Sequence, residues 1–73
     1  MPPEATPREQ AMVRYAIKLT RTPAAMERAD LEPMRSAGLS ERAILEVNQV
    51  VAYFAYANRV ADGLGIELED YRR

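Results

Sequence analysis

Apolar positions along the chain recur at helical spacing, and no stretch alternates as a strand would. Met12, Val13, Ala16, Ile17 and Leu19 form a stripe of period 3.6, while Arg8, Arg14, Lys18 and Arg21 fall mostly elsewhere on the circumference. Thr6-Pro7-Arg8-Glu9 precedes that stripe with a capping hydroxyl, a proline suited to the first helical position and a glutamate placed for a capping box. Thr22-Pro23 closes it, because the residue before a proline avoids helical geometry. Leu31, Met34 and Ala37 then mark a second, shorter helix. Pro33 is tolerated only in a first turn, so this helix is expected to start near Asp30 as its N-cap, after a loose turn over residues 24–29. Gly38 ends it. Ser40 caps a third helix that is predicted to run to about Asp62, stopped by Gly63 and Gly65, with a length of roughly 33–35 Å.

The third segment is the most informative. Its centre reads Val50-Val51-Ala52-Tyr53-Phe54-Ala55-Tyr56-Ala57, apolar around the whole circumference. A helix of that kind is normally buried on all sides. Two short helices cannot wrap it, so an isolated chain is expected to expose a large apolar face, the usual mark of a partner interface. Val47, Val50, Val51, Tyr53, Phe54, Tyr56 and Ala57 are the candidate interface residues.

Composition sharpens this. With 73 residues the chain is one small domain: a lead at 1–5, a helical body at 6–65 and a short charged tail at 66–73. A chain of this length hides only about 60% of its unfolded surface. Cysteine and histidine are both absent, which excludes within these residues a disulfide, a thiolate nucleophile, an imidazole base and a Cys/His metal site. Small domains usually lean on such supports. Either the packing is unusually good or a second chain completes the core. Apolar residues at 48% and charged residues at 29% describe a globular chain, and a net charge of −1 provides no global field for nucleic acid or an anionic membrane. The longest uncharged run, 47–58, is too short to cross a bilayer, which needs about 20 residues. No leader is evident. The expectation is a soluble cytoplasmic chain with no cofactor.

Few residues suggest chemistry. Gly38-Leu39-Ser40 between two helices has the outline of a helix-turn-helix corner, but Glu41, Arg42 and Glu46 are poor tools for reaching bases and phosphates, which favours a plain glycine-capped corner. Asn58, Arg59 and Asp62 form a polar set at the end of the apolar run, where Arg59 is suited to a partner's carboxylate, to an anionic ligand, or to a local pair with Asp62. Glu46, at the other edge of the run, reads best as solvated, since no second carboxylate is placed to work with it. Tyr53, Phe54 and Tyr56 lack the interleaved basic residues of a stacking platform. A small DNA-binding regulator and a small-ligand module using Arg59 therefore stand as alternatives to an assembly role.

Three strings, read together, carry a family resemblance. Lys18-Leu19-Thr20-Arg21-Thr22-Pro23 is followed by Gly38-Leu39-Ser40 with Ile44, and then by Tyr53-Phe54-x-x-x-Asn58-Arg59-x-x-Asp62-Gly63-Leu64-Gly65-Ile66-Glu67-Leu68. From about Pro7 to Tyr71 the chain resembles the C-terminal region of the AhpD-like alkylhydroperoxidase and carboxymuconolactone decarboxylase superfamily, in its peroxidase-related branch. The resemblance implies an all-α, three-helix half-domain completed by oligomerisation, since family members assemble as helical dimers, trimers or hexamers. The family's thiol chemistry uses a C-x-x-C motif with a following histidine and a nearby glutamate, located before this block. None of those residues can be placed on this chain. Pro33 is a second departure, because relatives run a helix through that position. What the resemblance implies is a non-catalytic assembly module that pairs with itself or docks a chain bearing the C-x-x-C motif.

Overall fold

The computed structural model describes residues 4–66, and every regular element among them is helical. Helix α1 spans Pro7–Arg21, α2 spans Glu32–Ser36 and α3 spans Glu41–Leu64, with two short 3₁₀ turns, Pro23–Ala25 and Arg28–Leu31, between α1 and α2. The outer parts of the expected lead and tail, residues 1–3 and 67–73, lie outside the described residues.

Helix α1 begins as its sequence dictates. The Thr6 hydroxyl accepts the Glu9 N–H at 3.1 Å, and the Glu9 carboxylate accepts the Thr6 N–H at 2.8 Å, a reciprocal capping box with Pro7 in the first turn. It ends at Thr22, whose N–H donates to the Lys18 carbonyl at 2.8 Å. The Ser40 hydroxyl caps α3 by accepting the Ala43 N–H at 3.1 Å.

Two boundaries differ from expectation. Helix α2 has only five residues, and Asp30 is not its N-cap. Pro33 does occupy a first turn, but the chain reaches it through the second 3₁₀ turn. Asp30 serves that turn: its carboxylate accepts the Glu27 N–H at 2.7 Å and Lys18 Nζ at 2.9 and 3.0 Å. Helix α3 also passes through Gly63 and closes at Gly65, where φ is +69° and the N–H groups of Gly65 and Ile66 reach back to the Asp62 and Ala61 carbonyls. Only the second glycine takes the left-handed conformation that ends a helix. With 24 residues, α3 is about 36 Å long. Taken whole it is not an apolar span, since Arg42, Glu46, Gln49, Arg59 and Asp62 interrupt it. No helix among the described residues is long and apolar enough to cross a membrane.

The core is small. Ala11 and Tyr15 of α1, Met34 of α2 and Ile44 of α3 are buried together, with Met12, Leu19, Met26, Leu31, Leu39 and Val47 half-buried around them. Met34 is fully enclosed, and α2 exists largely to deliver it. Tyr15 adds a polar link, its hydroxyl accepting Asn48 Nδ2 at 2.8 Å from α3. Arg8 Nε donates to the Ala37 carbonyl at 3.2 Å, tying the start of α1 to the end of α2. Arg35 bridges Glu32 at 2.6 Å and Glu41 at 2.7 Å, joining α2 to the first turn of α3. Ion pairs this exposed are screened by water and salt and add little to stability.

These polar links make the fold acid-sensitive. Lys18 and then the Glu27 N–H hold the Asp30 carboxyl below its ordinary range, the Thr6 backbone and hydroxyl do the same for Glu9, and Arg35 does so for Glu41. A carboxyl with a depressed folded-state pKa stabilises the fold above its unfolded value, about 4, and that contribution disappears as pH falls through the folded value. The melting temperature is expected to drop as pH falls below about 4, and Asp30→Asn should flatten that drop while lowering the neutral-pH value. Thermal melts followed by circular dichroism check this, and superimposable pH profiles for the two proteins would remove Asp30 from the account.

Candidate functional site

Helices α1 and α3 run side by side in broadly the same sense: Arg8 lies near Leu39, Tyr15 meets Asn48, and Leu19 faces the middle of α3. Helix α1 is about 22 Å long and α3 about 36 Å, so the C-terminal third of α3 extends past the helix that supports it. The mismatch leaves a line of packing with a groove on each side, and Val51 borders both.

The first groove, of about 460 Å³, lies between the end of α1 and the second half of α3. Leu19, Pro23, Ala52, Ala55 and Val60 provide apolar walls, with Asn48, Tyr56 and Arg59 as polar contributions. The second, of about 590 Å³, lies between Met12, Val13 and Ala16 of α1 and Val47 and Val50 of α3. Arg8 and Glu46 stand on its two sides. The outward surface of α3 connects them. Val50 is 55% exposed, Tyr53 64%, Phe54 56% and Tyr56 68%, and Leu45, Val60 and Leu64 are exposed as well. The rings of Tyr53 and Phe54 meet edge to face at 5.6 Å.

The residues singled out from sequence thus separate into two groups. Val50, Tyr53, Phe54 and Tyr56 are free surface within the described chain. Val47 is half-buried against the core cluster, and Val51 and Ala57 are half-buried too, so part of the predicted face is occupied by the chain's own packing. The physical reason is rotation about α3: Ile44, Asn48, Val51 and Ala55 lie on the line facing α1, and Val47 lies beside it. In the polar set, Arg59 borders the first groove, Asn58 is half-buried, Asp62 is exposed one turn on, and Glu46 is exposed on the other groove.

Sequence reasoning missed two features. Asn48 is a polar residue in the phase of the core line between Ile44 and Val51, which is itself a signal for a partner, and Tyr15 is that partner. Val13 and Ile17, four residues apart, are also exposed on α1 and extend the apolar surface.

The site offers little for catalysis. Among the described residues no charged side chain is buried and no cluster of three or more metal-ligating side chains exists. The displaced carboxyls, Glu9, Asp30 and Glu41, serve helix caps and ion pairs outside both grooves. At the Gly38 corner φ is +96° and the Arg8 guanidinium lies against the glycine, where an added Cβ would stand 3.1 Å from it. Arg35 beside that corner is already held by Glu32 and Glu41. No protein-family model matches the chain, and no curated protein matches it significantly.

Proposed function

We infer that the chain is a non-catalytic helical assembly module that completes its fold by associating with a second chain, in the manner of an AhpD-like half-domain. The observation that carries this is the exposure of Val50, Tyr53, Phe54 and Tyr56 on one 24-residue helix. Several large apolar side chains exposed on one helix mark an interaction site. The small core supports the same reading. Among the described residues the buried cluster is Ala11, Tyr15, Met34 and Ile44, and a domain of this length rarely gathers more than about 3–5 kcal/mol from such a core alone. Within these residues the family's thiol relay has no cysteine or histidine to work with, so the contribution to a peroxidase-like assembly is structural. Self-association is the simplest form of the reading.

Light scattering across a concentration series, with helicity recorded on the same samples, tests it. A helical species of twice the chain mass or more, persisting at micromolar concentration, is the expected result. A well-folded monomer at every concentration would defeat the proposal. A poorly helical monomer that becomes helical only with a C-x-x-C-bearing relative would retain the assembly role and replace the partner.

A further inference from the structure

The two grooves beside α3 differ in charge. The one bordered by Met12 and Val50 has Arg8 on one side and Glu46 on the other, and Arg8 already donates to the Ala37 carbonyl. The one at the end of α1 has a single sign, because Arg59 is the only charged side chain that lines it. Lys18 and Arg35 are taken up by Asp30, Glu32 and Glu41, whereas no hydrogen bond or ion pair among the described residues holds Arg59. Its five N–H donors are open to a ligand.

The shape of that groove narrows the ligand further. Tyr15 meets Asn48, so α1 runs beside the first half of α3 and stops at Arg21. Arg59 lies about 16 Å along the axis from Asn48, past the end of α1, and so stands at the open end of the groove. The inner part is apolar, walled by Leu19 and Val51 and left vacant by the small side chains of Ala52 and Ala55. Ala52 and Arg59 are about 10 Å apart along the axis, which sets the length of an apolar body. The volume, about 460 Å³, falls in the range of small-molecule sites, roughly 300–1,000 Å³. A lone guanidinium matches a carboxylate through two parallel N–H donors. A phosphate dianion would call for further cations or a helix N-terminus, and neither lines the groove.

We propose that this groove binds a small amphipathic monocarboxylate, with its carboxylate on Arg59 at the open end and its apolar body along Leu19, Ala52 and Ala55. The proposal does not depend on the association inferred above. Titration of the full chain with octanoate and with phenylbutyrate, followed by backbone amide chemical shifts, tests it. Both acids should bind saturably, with a dissociation constant on the order of a millimolar or tighter, and move the amides of Leu19, Ala52, Ala55 and Arg59. Octanamide, of the same length but neutral, should bind about fivefold more weakly than octanoate, as expected for one solvent-accessible ion pair. Arg59→Gln should remove that difference by weakening octanoate alone. Ala52→Phe, at an exposed position, should fill the groove and abolish binding of both acids with helicity retained. No saturable binding of either acid would overturn the proposal. So would equal affinities for octanoate and octanamide, or an octanoate affinity unchanged in Arg59→Gln. Shifts confined to Val50, Tyr53 and Phe54 would mean adhesion to the outward surface of α3 and would overturn it as well. A fall in solution mass for Arg59→Gln would assign the arginine to a second chain and end the proposal in the same way.

Discussion

Replacing Met34 by alanine is expected to leave the chain largely unfolded near room temperature. Among the described residues Met34 is the largest fully enclosed side chain, and it is the contribution of α2 to a cluster otherwise made by α1 and α3. Truncating a buried methionine to alanine costs about 2–5 kcal/mol, from lost transfer free energy and the cavity left behind. That matches the roughly 3–5 kcal/mol that a core in a domain of this size supplies altogether. Five-residue α2 cannot recover the loss locally, since a helix of that length has no stability of its own in water. Met34→Leu, which nearly conserves volume, should cost less than about 1.5 kcal/mol and retain a cooperative transition. Thermal and urea unfolding followed by circular dichroism at one fixed concentration separate the cases. If Met34→Ala melted within a few degrees of the parent, the stability of the chain would have to reside elsewhere.

The same residue shows what was legible in the sequence. Caps and stops that close on themselves within a few positions could be read directly: Thr6 with Glu9, Thr22 before Pro23, and Ser40 at the head of α3. Each is decided by hydrogen bonds between near neighbours. The segment between α1 and α2 could not be read in this way, because Asp30 is positioned by Lys18, twelve residues earlier, as much as by its own turn. Gly63 and Gly65 looked equivalent as helix stops. A glycine inside a helix costs only about 1 kcal/mol relative to alanine, so the backbone passes the first and turns left-handed at the second.

The candidate site was legible in composition and not in rotation. The run at 50–57 announces more apolar surface than a three-helix chain can cover, and Val50, Tyr53, Phe54 and Tyr56 are exposed. Which of the neighbouring positions the chain itself uses depends on how α1 lies on α3, and that is set by Tyr15, Leu19 and Asn48 together. Val47 and Val51 are drawn inward by this packing. The two grooves are products of the same line, so neither has a local sequence signature.

Phe54→Asp is expected to convert the assembled chain to monomer. Phe54 is 56% exposed in the single chain, so the substitution places a carboxylate at a surface position and leaves the Ala11–Tyr15–Met34–Ile44 cluster intact. In the proposed assembly the position would lie against a second chain, and the interface would enclose a charge without a partner. An unpaired charge taken out of water costs several kcal/mol even after relaxation. A loss of about 3 kcal/mol weakens association by more than a hundredfold, enough to dissociate a micromolar dimer at ordinary working concentrations. Phe54→Leu keeps an apolar side chain and should retain the mass of the parent. Light scattering reads the mass, and helicity on the same samples divides the consequences. Helicity retained at monomer mass would mean that the small core suffices and that α3 is purely an association surface. Helicity lost together with mass would mean that the second copy forms part of the core, so that folding and assembly are one reaction and the melting temperature of the parent rises with its concentration. Unchanged mass and unchanged stability for Phe54→Asp would show that this face stays in water, and the assembly reading would fall with it.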